Sequence, residues 1–231
     1  MLLNLLLGGD IESFLISLAL SLPIVLFSLS LHETAHGFVA YKLGDPTAHN
    51  LGRLTLNPFR HLDPIGFGCM LLFGYGWAKP VPINTRYFKK PKRDIALTGA
   101  AGPASNLLLA LAFSVLLRLS YGLLWERVYT SATLAILAEF LCLFLFYGIR
   151  INAVLAVFNL IPIPPFDGSR ILFAFLPYQW SAKLMRYEQF LYIAVILLMA
   201  FTSVFDVAFS AVIRLFLQLV GLGGSFFWYL T

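Results

Sequence analysis

Four stretches of this 231-residue sequence stay apolar long enough to cross a membrane, whose ~30 Å hydrocarbon layer takes about 20 helical residues to span. They run over approximately 13–41, 95–119, 131–158 and 187–205. A soluble fold of this length has no interior large enough to hide them. Hydrophobic residues make up 60% of the chain and charged residues 12%, against about 45–50% and about 25% in ordinary globular domains. The same figures exclude disorder, collagen, coiled coil and a disulfide-stapled module. The expected fold class is an all-α multi-pass membrane protein with about four transmembrane helices, forming one membrane-embedded domain over residues 1–231.

A fifth apolar stretch, Ile65 to Trp77, is too short to span and carries Gly66, Gly68, Gly74 and Gly76. It reads as a re-entrant or interfacial segment. The basic residues set the orientation. Nine of the sixteen Lys and Arg lie between Lys42 and Arg93, and Arg170, Lys183 and Arg186 lie in the loop after the third span. With four spans and both termini outside, these two loops face the cytoplasm, as the positive-inside rule requires. Placed between apolar segments, the cluster does not read as a nucleic-acid surface. The first span lacks a basic flank and a cleavage site and is expected to be retained. Cys69 and Cys142 form no C-x-x-C pair and read as small core residues. After the fourth span, Ser203, Asp206, Ser210, Arg214 and Gln218 recur at helical spacing. They predict an amphipathic helix over about 204–220, lying on the surface or turning its polar face into the bundle.

The chemistry concentrates at the end of the first span, LSLHETAHGF. His32, Glu33 and His36 form H-E-x-x-H. Residues four apart share a helical face, so both imidazoles can reach one ion, and Glu33 sits beside them as a base for a metal-held water. Zinc brings the pKa of such a water to about 7. With four His and five Glu in the chain, independent placement yields roughly 0.0015 such motifs, and ionisable side chains in an apolar helix are costly unless they serve a site.

A catalytic zinc takes three protein ligands and keeps one position open. The candidates for the third are His49, His61, Glu139, Asp206 and Asp167. His32 lies 19 residues beyond Ser13, roughly 28 Å along the helix and near the cytoplasmic face. The third span ends at that face, just before FNLIPIPPFDGSR, which holds Asp167. Pro162, Pro164 and Pro165 forbid regular helix there, and broken backbone at membrane depth persists only where protein or water covers it. The competing reading makes Asp167 an N-cap of the next helix. Glu139 reads as a buried carboxyl within a span, and His49 and His61 as ordinary loop histidines.

HETAHG in an early span and NLIPIPPFDG after a later one, with GWAKPVPIN from Gly76 and AGPASN from Ala101, resemble the site-2 protease family of intramembrane zinc metalloproteases, in the compact form without a PDZ domain. The resemblance covers about Leu31 to Leu172. Phe166 departs from the family's usual Leu and is expected to change packing only. The resemblance implies one Zn2+ per chain held by His32, His36 and Asp167, with Glu33 as catalytic base and acid. It also implies a re-entrant β-hairpin over about 65–80.

The implied reaction is hydrolysis of a peptide bond in a transmembrane or membrane-proximal segment. A helical substrate must unwind, and its freed backbone groups then need partners, which an exposed strand edge supplies. Gly74, Tyr75, Gly76 and Trp77 suit that edge; the alternative is an interfacial anchor, with Trp77 and Lys79 snorkelling. Asn106 is a second candidate catalytic residue, donating to an oxyanion or to substrate backbone, or else a helix cap. Asn159 is expected to orient the Asp167 loop, touch substrate or merely satisfy that loop. The expected partners are a transmembrane protein or peptide and the bilayer, with no nucleic acid. The expected location is the prokaryotic plasma membrane, with the active site toward the cytoplasm. Two other readings stay open: a membrane zincin of another type cutting peptides at the cytoplasmic face, and a non-catalytic adaptor with structural zinc.

Overall fold

A computed structural model describes residues 10–73, 76–124, 131–201 and 204–222. Its regular structure is helical, and no strand forms among the described residues. The helices are α1 (Ile11–Lys42), α2 (Thr47–Asn50), α3 (Pro64–Phe73), α4 (Pro91–Leu124), α5 (Ala132–Asn159), α6 (Asp167–Phe175), α7 (Tyr178–Arg186), α8 (Glu188–Phe201) and α9 (Val204–Leu219).

Three of these, α1, α4 and α5, are long and apolar enough to cross a membrane. The expected fourth span is not one of them. Its apolar run folds as α8, whose 14 residues reach only about 21 Å. Residues 202–203 lie outside the description, and α9 follows. Apolar composition reports what a segment avoids, namely water; it does not report how far a helix runs unbroken.

The core lies where α4 and α5 meet α9. Ala110 and Leu117 of α4 and Leu145, Ile149 and Ala153 of α5 are buried against Ile213, Phe216 and Leu217 of α9. Small residues let the two long helices approach, as membrane bundles require. The predicted amphipathic helix is present as α9. Ser210, Arg214 and Gln218 face outward, so its apolar face covers the bundle; Ser203 lies outside the description.

The expected hairpin over 65–80 is not formed in the described residues. Residues 64–73 are α3, because Asp63 and Pro64 make a helix start: the Asp63 carboxylate accepts from the N–H groups of Ile65 and Gly66 at 3.0 and 2.8 Å. Gly74 and Tyr75 lie outside the described residues. From Gly76 the chain runs extended back along α3, with one isolated antiparallel bridge between Leu62 and Ala78. The glycines serve this return. A Cβ on Gly66 would lie 2.2 Å from the Trp77 carbonyl oxygen, and one on Gly76 would lie 2.1 Å from that of Gly66.

Polar contacts pin the long loop to the basic end of α1. Fully buried Asp45 accepts from Thr47 and from the Asn84 N–H, at 2.7 Å for the latter. Arg53 donates to the carbonyls of Lys79 and Pro80, and Lys79 N–H donates to His61 O at 2.7 Å. This holds Lys79–Val81 against the helix face that carries Glu33.

Candidate metal centre

His32 and His36 stand one turn apart on α1 with their rings edge to face, centroids 4.6 Å apart. Their Nε2 atoms are 3.0 Å apart, and Asp167 Oδ2 lies 3.1 Å from each. All three side chains are buried. Three ligand atoms forming so even a triangle can share one partner about 2 Å from each, the distance at which zinc binds imidazole and carboxylate.

The hydrogen bonds behind the rings say which nitrogens face inward. His36 Nδ1 lies 2.7 Å from the Thr98 carbonyl oxygen, which can only accept, so Nδ1 carries the proton and Nε2 the lone pair. His32 Nδ1 donates in the same way to Asn106 Oδ1 at 2.6 Å. Two neutral imidazoles and a carboxylate thus converge with lone pairs inward, the donor set that zinc takes.

Asp167 reaches this depth by a folded-back loop. Buried Phe166 packs edge-on to Phe158, centroids 4.5 Å apart, and against Tyr192 at 6.1 Å. Gly168 then passes under the loop: a Cβ there would lie 2.2 Å from Leu160 O. The other carboxylate oxygen, Oδ1, lies 3.6 Å from half-exposed Arg170.

The sequence reading missed two glycines. A Cβ on Gly102 would lie 2.4 Å from His36 Nε2 and 2.5 Å from His32 Nε2, in the space the ligand atoms share. One turn away, a Cβ on Gly99 would lie 2.8 Å from Arg170 Cβ and 3.2 Å from Asp167 O. One glycine keeps the centre open and the other lets α6 dock on α4. Their i, i+3 spacing in GAAG, the run that leads into AGPASN, was the available signal.

The remaining candidates sort by contact. Glu33 Oε2 accepts from the Val81 N–H at 2.8 Å. Asn106 is fully buried with both ends of its amide engaged, Oδ1 by His32 and Nδ2 by Asn152 at 3.0 Å. Asn159 donates to Leu155 O of its own helix at 2.9 Å. Trp77 is half-exposed beside Gly76 on the extended segment. His49, expected in a loop, lies in the short helix α2, exposed and stacked on Tyr41. His61 is buried, with Nε2 donating to Thr55 O at 2.8 Å. Glu139 is on the outer face of α5, not buried as expected; the apolar residues on either side of it leave the direction of this one acid unmarked in the sequence.

The profile of Peptidase family M50 matches residues 20–202. YwhC of Bacillus subtilis, which carries the name of a zinc metalloprotease, is 44% identical over 174 residues, covering 75% of this chain and 77% of that protein. Rip2 of Mycobacterium tuberculosis, similarly named, is 31% identical over 175 residues, covering 71% of this chain and 60% of its own. MJ0611 of Methanocaldococcus jannaschii, a third protein so named, is 28% identical over 165 residues, covering 68% and 75%. No solved structure matches this chain. With the helices, the zinc-type ligand triangle and these relatives in agreement, the chain belongs to peptidase family M50, the site-2 protease family, and is a membrane zinc metalloendopeptidase.

Proposed function

We propose that this chain is an intramembrane endopeptidase that cuts peptide bonds in transmembrane or membrane-proximal segments of its substrates. The observation that carries this reading is the depth of the ligand triangle. His32 lies ten residues inside the basic end of α1, and Gly102 lies eleven inside the basic start of α4, about 15 Å in along each helix. A centre carried well inside two helices that are long and apolar enough to span supports cleavage of a bond in a membrane segment. The basic loop Lys42–Arg93 supports placing that end in the cytoplasm. The bacterial and archaeal relatives support a prokaryotic plasma membrane.

His32, His36 and Asp167 would hold the zinc, which, when bound, polarises the scissile carbonyl and lowers the pKa of water to about 7. Glu33 takes a proton from the attacking water and returns it to the leaving amine nitrogen. The Val81 N–H donates to Oε2 of this carboxylate at 2.8 Å and fixes its orientation. The half-exposed segment at Gly76–Trp77, with Gly74 and Tyr75 before it, offers backbone to an unwound substrate. One zinc and one substrate chain in the bilayer suffice for this scheme.

The test uses protein purified in detergent and returned to vesicles. Zinc content is measured beside cleavage of a panel of single-span helices by wild type and Glu33→Gln. Wild type should cleave spans, and Glu33→Gln should keep its zinc and cleave nothing. Cleavage of soluble peptides alone would favour the zincin acting at the cytoplasmic face. Full biological activity in Glu33→Gln would favour the adaptor.

A further inference from the structure

We infer that Asn152 is a positioning residue of the metal centre: it determines which end of the Asn106 amide faces His32, and thereby which nitrogen of His32 is free for zinc. A primary amide has nearly the same shape at both ends but accepts at one and donates at the other. With its oxygen toward His32, the imidazole carries its proton on Nδ1 and its lone pair on Nε2. With its NH2 toward His32, the proton moves to Nε2 and the ligand nitrogen is lost. Asn106 has no means of choosing between these by itself.

Asn152 supplies the choice. Its Nδ2 donates to Gly148 O at 2.9 Å, and a backbone carbonyl can only accept. Its Oδ1 must therefore point away, where it accepts from Asn106 Nδ2 at 3.0 Å. That leaves Asn106 Oδ1 for His32 Nδ1 at 2.6 Å. The polarity thus begins at a backbone carbonyl of α5, passes through α4 and ends at the ligand on α1. Asn152 and Asn106 are fully buried and His32 is 5% exposed, so water cannot replace a reversed partner. Turning Asn106 alone would set two oxygens against each other and two N–H donors against each other. His36 needs no such relay, because its Nδ1 already faces the Thr98 carbonyl.

The inference rests on the zinc centre and not on the proposed substrate, so its test contains no substrate. The zinc dissociation constant is measured in detergent, by competition with a chelator, for wild type, Asn152→Leu, Asn106→Ala and the double variant. Loss of a partner behind a ligand costs about 10- to 100-fold in metal affinity. Asn152→Leu should weaken zinc binding about tenfold, Asn106→Ala at least as much, and the double variant no more than Asn106→Ala alone. Asn152→Asp, neutral when buried, offers the same acceptor to Asn106 and a hydroxyl donor to Gly148 O, and should keep near-wild-type affinity. Melting of the zinc-free proteins checks the fold; if Asn152→Leu does not fold, the smaller Asn152→Ser takes its place in the cycle. Wild-type affinity in the Asn152 variant overturns the inference. So does a loss that multiplies in full onto that of Asn106→Ala, because a residue acting through Asn106 has nothing left to act on once Asn106 is removed.

Discussion

Gly102→Ala adds one methyl group at the point where it should do most harm to the metal and least to the fold. The new Cβ would lie 2.4 Å from His36 Nε2, 2.5 Å from His32 Nε2 and 2.6 Å from His32 Cε1, and ordinary contact begins near 3.4 Å. Either α4 retreats or the imidazoles turn, by about 1 Å. Metal–ligand distances hold to about ±0.2 Å, so the displacement exceeds the tolerance several-fold. Zinc affinity should fall at least 100-fold, beyond the usual range for a change behind a ligand. The fold should fare better. Ala in place of Gly within a helix gains up to about 1 kcal/mol, which offsets part of an overpacking cost of about 1–3 kcal/mol. The assay pairs zinc stoichiometry after dialysis with melting in detergent. Gly122→Ala is the control, because a Cβ there meets nothing within 4 Å on the same helix; it should bind zinc fully. If Gly102→Ala retains one tightly bound zinc per chain, the ion does not occupy the space between the two Nε2 atoms, and the centre described here is wrong.

Other substitutions separate the parts of the site. Glu33→Gln should leave zinc bound and lower peptide cleavage at least ~100-fold, whereas Asp167→Ala should lose both in the same preparations. Arg170→Ala removes a half-exposed partner 3.6 Å from Asp167 Oδ1; such a pair contributes at most about 1 kcal/mol, so zinc affinity should fall no more than about fivefold by chelator competition. Asp63→Ala removes the acceptor for the first N–H groups of α3 and should cost about 1 kcal/mol in denaturant unfolding, with zinc content unchanged.

The sequence makes the ligands legible for different reasons. His32 and His36 are tied by covalent spacing, so helical periodicity alone places them together. Asp167 is legible by depth, because the third span must end where the first one does. The residues supporting the ligands are not. α1 is apolar on every side, so nothing in its sequence says that Asn106 and Thr98 of α4 are the groups that meet its histidines. Gly102 hides for a related reason: a small residue in a packed helix commonly marks contact between helices, and its use as an opening beside two Nε2 atoms emerges only with the helix rotations. The segment over 65–80 shows a different failure. Its glycines suggest a strand edge, while Asp63-Pro64, a start signal visible in the sequence, makes α3 instead. The fourth apolar stretch is legible as membrane-compatible but not as one continuous helix.

Removal of zinc tests whether the ligands alone are a stable arrangement. Each outward-facing polar atom of the ligand histidines has a partner: His36 Nδ1 at Thr98 O, and His32 Nδ1 at Asn106 Oδ1. What is left over is inward, two lone pairs and a carboxylate oxygen within about 3 Å of one another, in surroundings that penalise uncompensated polar charge. A divalent cation satisfies all three at once; without it, protons must be drawn in or the triangle must open. Because the ion binds the folded chain, its contribution to stability follows its concentration relative to Kd, about 2.7 kcal/mol at 100 Kd. Chelation should therefore lower the melting temperature of the wild type and of Glu33→Gln, and re-added zinc should restore both. Gly102→Ala, with no zinc to lose, should melt at the same temperature with and without chelator. A wild-type melting curve indifferent to chelator, in protein verified to have released its zinc, would mean that the triangle stands without a cation and that its lone pairs are satisfied in some other way.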